Sequence, residues 1–569
     1  MKIVHCVSGF FAIGLLTSCT STVTPTGNAA PATIRLPVLT CSALVGVMPA
    51  SVIGVLAGQV TIRSAQAVAA SPISVNAAGP TPASLINPAK PDYCQLLGFI
   101  APIDATAPNI EFQINMPTSW NGRSVQYGGG GFNGVLINAL GLVPSGRFDL
   151  PAPLQNGFVT YGTDSGHQNK PNTPPQVFAL NDEALDNFTH LSYKKVRDVA
   201  VEAMKRYYGE GPNKLYFAGS SEGGREGMLV VQRYPNDFDG VFSRVPVLNW
   251  VGLQMFGTRS GISLSGASWI NPSKVKLVHE ATLAACDTLD GLADGIVSDF
   301  QACEKKFDPT ALRCPNGADA GDQCLSDGQV NAVKLLRTPL KYPFPMANGV
   351  TQYPGYAMGG EGTVGSGPTG GWVSWWTGQS APTIPPGPAN SITWFYGAGA
   401  VQYFFARDAN YDVRNFKPGD FAERVRALSQ NMDATNPDLS AFKARGGKLI
   451  MMEHIADYAQ SANAGIQYFK TVKNKMGEGT VGDFARLYLA PGVDHVGSGA
   501  PANIDMPNLL VDWVERGRAP GTKQLLILTE QETVPPFKAL RQRPMCEFPL
   551  VPRYKSGDVD AASSFACEK

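Results

Sequence analysis

Two hydrophobic periods alternate along most of this chain. The runs IEFQINMP from Ile110, RSVQYGGGG from Arg123 and FVTYGTDSGH from Phe158 are strand-like, short and apolar between turn residues. HLSYKKVRDVAVEAMKRYYG from His190 changes the period. Val196, Val199, Ala200, Ala203, Met204 and Tyr207 fall on one helical face, and Gly209, Gly211 and Pro212 end that helix. KLYFAG from Lys214 then reads as a buried strand, GGREGMLVVQRYP as a helix, and DGVFSRVPVLNW as a further strand and loop. Strand, helix and strand in succession predict an α/β domain with a mainly parallel sheet.

That rhythm is lost across residues 251–435, which are rich in Gly, Pro and Trp and hold four cysteines. It resumes at GGKLIMMEHIAD, with a strand from Lys448, a helix around GIQYFKTVKNKM and a strand in FARLYLAPG. The expected organisation is therefore a discontinuous α/β domain, residues 80–250 and 436–569, interrupted by an insertion.

The N-terminus MKIVHCVSGFFAIGLLTSCTS has a lysine, a short apolar run and small residues, the pattern of a signal peptide over residues 1–18. Leu16-Thr17-Ser18-Cys19 resembles a bacterial lipobox, which would make Cys19 a lipidated first residue. A Ser/Thr/Pro/Ala tether follows to about residue 38, within an N-terminal segment that runs to residue 79. The apolar stretch SALVGVMPASVIGVLAGQV from Ser42 is broken by Pro49 and glycines, and it reads as buried strands rather than a membrane span. The expected location is exported, with membrane attachment only through an N-terminal lipid.

Charge excludes one class of partner. Lys plus Arg and Asp plus Glu both number 46, and charged residues make up only 16%, so no basic surface for nucleic acid is implied. A small-molecule substrate fits better. Of ten cysteines, Cys6 lies in the signal and Cys19 in the lipobox. The even remainder in an exported chain implies disulfides, and proximity pairs Cys286 with Cys303, Cys314 with Cys324 and Cys546 with Cys567, leaving Cys41 for Cys94.

Gly219-Ser220-Ser221-Glu222-Gly223 fits G-x-S-x-G between an apolar strand and a helix, the strand-turn-helix elbow that exposes a nucleophilic serine, with Ser221 at its centre. A serine hydroxyl needs a base and a group that orients the base. In elbow hydrolases the order is Ser, acid, His, and only His279, His454 and His495 follow Ser221. His495 lies in a loop after the strand ARLYLA, and Asp457 follows the strand KLIMM in the same topological position. Asp494 is the alternative acid, and His454 is read as supporting the site or packing against it. Oxyanion donors are expected from the Glu222 amide and from YGGGGFNG, where Gly128 to Gly131 are candidates and Gly129 is preferred. Gly129, Gly131 and Gly134 also satisfy G-x-G-x-x-G, but no helix starting at the third glycine is evident, so a dinucleotide site is set aside. In CDTLDGLADGIVSD, Asp287, Asp290 and Asp294 beside Gly291 and Gly295 supply hard oxygen ligands suited to Ca²⁺, but the spacing is not that of an EF-hand and also fits an acidic surface loop.

YGGGGFNG, GTDSGH, GSSEGG, CDTLDGLADGIVSD, GGKLIMMEHIAD and GVDH together resemble the tannase and feruloyl esterase family, over most of the chain after the signal. The resemblance implies an α/β-hydrolase fold with a large inserted lid domain and a structural calcium in the lid. It implies ligation by the side chains of Asp287, Asp290 and Asp294 and the carbonyls of Leu292 and Ile296. It also implies an aromatic pocket, for which Trp394, Phe395 and Tyr403 are candidate liners. One departure stands out. Where the family has cysteines before the nucleophile and after the catalytic histidine, this chain has Ser220 and Val496.

The expected function is a Ser-His-Asp esterase for small aromatic esters of feruloyl, galloyl or mono(2-hydroxyethyl) terephthalate type. The alternatives are a serine peptidase or amidase on the same fold, or a noncatalytic calcium-dependent binding lipoprotein.

Overall fold

The computed structural model describes residues 33–76, 82–362, 370–521 and 526–569; the expected signal and Cys19 lie outside them. At its centre is an eleven-stranded mixed sheet. In chain order its strands are β1 (Gly46–Met48), β2 (Val60–Val68), β3 (Tyr93–Ile100), β4 (Ile110–Pro117), β5 (Arg123–Tyr127), β6 (Val159–Thr163), β7 (Lys214–Ser220), β8 (Gly240–Arg244), β9 (Lys448–His454), β10 (Ala485–Ala490) and β11 (Cys546–Glu547). Across the sheet they run β1-β2-β3-β4-β6-β5-β7-β8-β9-β10-β11. From β6 to β10 every neighbouring pair is parallel, and both flanks are antiparallel. This is an α/β-hydrolase architecture.

Burial follows pattern. Strands β7, β9 and β10 are apolar almost throughout because helices cover both faces of a parallel sheet. Helix α1 (Ser192–Tyr208) buries all six of the residues expected on its apolar face and stops at Gly209, whose φ of 78° only glycine adopts readily. The apolar stretch from Ser42 yields less strand than expected. Only β1 and the start of β2 are extended, Pro49 begins a 3₁₀ turn at Ala50–Val52, and Val45, Val47 and Leu56 stay exposed. Part of the N-terminal segment belongs to the central sheet: β1 pairs with β2, and β2 pairs with β3 along its length, so strands within residues 46–68 extend that sheet. Among the described residues the disulfides are Cys41–Cys94, Cys286–Cys303, Cys314–Cys324 and Cys546–Cys567, the four pairs expected from the sequence.

Strands β8 and β9 are hydrogen-bonded neighbours although some two hundred residues separate them, so the intervening chain is inserted between adjacent strands. Its ends are clasped together. Val251 N–H donates to Asp433 Oδ1 at 3.0 Å, and Ala434 N–H donates to the Leu248 carbonyl at 2.8 Å. Within the insertion, α3 (Trp250–Ser263) and α4 (Ile392–Gly399) pack backbone to backbone. A Cβ on Gly257 would sit 2.6 Å from the Thr393 carbonyl, and one on Gly397 2.6 Å from Thr258 N, so both contacts require glycine.

Candidate active site

Strand β7 runs into α2 (Glu222–Arg233) with one residue between them, Ser221, held at φ 62° and ψ −120°. A non-glycine residue in that region is strained, and the surroundings enforce it. A Cβ on Gly219 would lie 2.0 Å from the Gly223 carbonyl, one on Gly223 2.7 Å from that of Gly129, and one on Gly224 2.5 Å from that of Arg244. The glycines of the motif are thus demanded by close packing of β7, α2 and the glycine loop.

Three side chains from the ends of neighbouring strands meet there. His495 Nε2 is 2.9 Å from Ser221 Oγ, and His495 Nδ1 is 2.8 Å from Asp457 Oδ2. Asp457 is buried, and its other oxygen accepts the amides of Ala459 at 2.7 Å and Gln460 at 3.0 Å. With Nδ1–H committed to the carboxylate, Nε2 is left as the acceptor for the serine proton. Asp494, the alternative acid, does something else. Its Oδ1 accepts the amides of Val496, Gly497 and Ser498, folding the loop around His495, and burial pushes it up to about 6. His454 donates from Nδ1 to the Asp494 carbonyl at 2.6 Å, and burial holds it neutral.

The glycine loop requires a correction. Gly129 was the expected oxyanion donor, but its N–H donates to Glu226 Oε2 at 2.9 Å and is unavailable. Gly130 and Gly131 line the cavity instead. Glu226 Oε1 also accepts from Asn133 Nδ2 at 2.7 Å and Tyr193 Oη at 2.5 Å, and burial pushes this carboxyl up to about 7. The Glu222 amide opens α2, where helix N–H groups have no partner within the helix, while its side chain pairs with buried Arg225. No helix begins at Gly134, so the dinucleotide pattern has no structural counterpart.

The site opens into a cavity of about 470 Å³. One face of α3, Trp250, Leu253, Gln254 and Gly257, forms part of its wall, with Thr393 and Tyr396 from α4 and Trp375 from the preceding segment. The Trp375 ring lies 5.7 Å from the His495 ring. The expected liners are elsewhere. Trp394 and Tyr403 are buried in the insertion's core, Trp394 donating from Nε1 to the Thr383 carbonyl, and Phe395 lies outside the cavity. On α4 the cavity-facing positions are the flanking i and i+3 pair, Thr393 and Tyr396.

A family model described as "Tannase and feruloyl esterase" matches residues 94–568. The chain belongs to the tannase and feruloyl esterase family. It is 34% identical to an uncharacterized esterase of Agrobacterium fabrum over 531 residues, 90% of this chain and 93% of that one. It is also 34% identical to the mono(2-hydroxyethyl) terephthalate hydrolase of Piscinibacter sakaiensis over 542 residues, 85% and 86% of the two chains. The crystal structure of feruloyl esterase B from Aspergillus oryzae superposes with a TM-score of 0.72 over 90% of this chain and 97% of that one, at 22% identity, which shows a shared fold. Members of the family are carboxylic ester hydrolases, and so is this chain. The family's cysteine positions have other partners here: Ser220 Oγ accepts from Arg244 Nε at 2.8 Å, and Val496 donates to Asp494.

The aspartate loop fits calcium in part. Its donors are hard oxygens, and Asp290 Oδ2 is buried without a partner. Against this, Asp294 Oδ2 already has a cation, Arg543 at 2.5 Å, Asp287 accepts the amides of Asp294 and Gly295, and the Ile296 carbonyl accepts from Ser298. Among the described residues no group of three or more His, Cys, Asp or Glu side chains converges as for a metal.

Proposed function

We propose that this ester hydrolase is an exported serine esterase for small aromatic carboxylate esters. The observation that carries the reading is the Ser221–His495–Asp457 hydrogen-bond relay at the aromatic-walled cavity. Ser221 Oγ attacks the ester carbonyl carbon while its proton passes to His495 Nε2. The amides of Glu222 and Gly130 hold the oxyanion. On collapse, His495 returns the proton to the departing alkoxide, leaving an acyl-serine. Water then attacks the acyl carbon, its proton passing to His495 and on to Ser221 as the carboxylic acid leaves. Asp457, bonded to His495 Nδ1, orients the ring and stabilises the imidazolium.

The cavity volume and its Trp and Tyr walls suit a single aromatic acyl group. Feruloyl, galloyl and terephthalate monoesters are the compounds to test, following the family's description and the mono(2-hydroxyethyl) terephthalate hydrolase relative. Four disulfides favour an oxidising compartment, and among the described residues no helix is long and apolar enough to cross a membrane. Calcium, if held by Asp287, Asp290 and Asp294 with the Leu292 and Ile296 carbonyls, would be structural.

Ser221→Ala should reduce turnover of a 4-nitrophenyl benzoate by a factor of about 10³ or more. A fluorophosphonate should label the native protein at Ser221 and leave the variant unlabelled. Unchanged turnover in the variant, or label on another residue, would refute the mechanism.

A further inference from the structure

Arg244 ends β8 beside the nucleophile, its carbonyl accepting the Ser221 amide at 3.0 Å, and its side chain lines the same cavity as Ser221 and His495. Its guanidinium touches two neutral hydroxyls, Ser220 Oγ at 2.8 Å from Nε and Ser145 Oγ at 3.3 Å from a terminal nitrogen. Among the described residues no carboxylate comes within ion-pairing distance of it. The nearest acids are engaged: Asp457 with His495, and Asp494 with the amides of its own loop. Burial lowers Arg244 to about 10, so it remains a cation at neutral pH. The contrast with Arg225 is instructive, since that buried guanidinium has Glu222 against it.

Arg244 is half-buried, and a cation partly withdrawn from water is favoured when an anion meets it; the planar fork of arginine matches a carboxylate. Because Arg244 borders open cavity rather than packed core, space for that anion exists only where substrate binds. We propose that Arg244, with Ser145 and Ser220, forms a carboxylate-binding subsite, so that the preferred substrates are aromatic esters carrying a second, free carboxylate. This rests on the serine esterase reading and narrows it to one substrate class. It also gives the departure at Ser220 a role: a hydroxyl in place of a family cysteine orients the guanidinium.

The test compares 4-nitrophenyl esters of 3- and 4-carboxybenzoic acid with their carbamoyl isosteres, which differ in charge and scarcely in shape. In the native protein at least one carboxy ester should show a KM about tenfold below that of its isostere, the size of one charge-assisted bond. In Arg244→Gln that ratio should collapse toward one, and Arg244→Lys should recover part of it. A native ratio within about threefold for both pairs, or a ratio that survives in Arg244→Gln, overturns the subsite. If neither variant folds, competitive inhibition of the native protein decides. Isophthalate or terephthalate should inhibit about tenfold more strongly than the diamide and weaken with added salt, and equal inhibition overturns the proposal. Failure to hydrolyse any of the four esters would instead count against the esterase mechanism.

Discussion

Glu226 lies five residues after the nucleophile and touches no reacting atom, yet it holds the glycine loop in place. Its two oxygens accept from Gly129, Asn133 and Tyr193, so it is a positioning residue for the neighbouring Gly130 amide. Glu226→Gln would turn an NH₂ toward one of those donors. Leaving such a buried donor unsatisfied costs about 1–3 kcal/mol. The expected outcome is a loss of about tenfold or more in kcat with KM little changed, as an oxyanion defect should give. A change in KM alone, or in melting temperature alone, would assign Glu226 to binding or to stability instead.

At the scale of elements, the packing of α3 against α4 decides the shape of the cavity. Gly257 contributes to its wall and also permits the helix crossing, because its hydrogen faces the Thr393 carbonyl. Gly257→Ala must push α4 outward, an overpacking of about 1–3 kcal/mol, and would carry Thr393 and Tyr396 with it. KM for aromatic esters should rise several-fold, by roughly 5 to 10 times, while 4-nitrophenyl acetate, too small to reach the α4 wall, is affected less. Equal effects on both substrates would show that α4 does not form the acyl pocket.

Over the whole molecule, two features can be tested through solution conditions. Asp433 joins the ends of the insertion, accepting from Val251 and from Ser429 Oγ, and burial pushes it up to about 7. An unfolded aspartate titrates near 4, so the folded chain keeps a proton that the unfolded chain releases. Stability from this group is full below about pH 4 and is lost as pH rises toward 7. Asp433→Asn cannot ionise, so its melting temperature relative to the native protein should improve by roughly 2 °C between pH 4.5 and pH 8. A difference that is flat across that range would refute the assignment. The second feature is the aspartate loop. If calcium occupies it, chelation should lower the melting temperature and added Ca²⁺ should restore it. An unchanged melting temperature with metal shown to be stripped would remove calcium from the description.

Local pattern was enough to reveal the α/β rhythm, the buried face of α1, the pairing of the cysteines, and Ser221, Asp457 and His495, which the structure brings within hydrogen-bond distance. Each of these follows from short-range rules: a period, a glycine-forced turn, or a strand end that must reach the same sheet edge. Four features depended on contacts between distant segments. Gly129 lost its amide to Glu226, ninety-seven residues away. Trp394 turned into the core because α3 presses on that side of α4. Val60–Val68 joined the sheet through pairing with β3. Arg244 reached the cavity without an acid to meet it, since which charges face one another is settled only when strands are laid side by side.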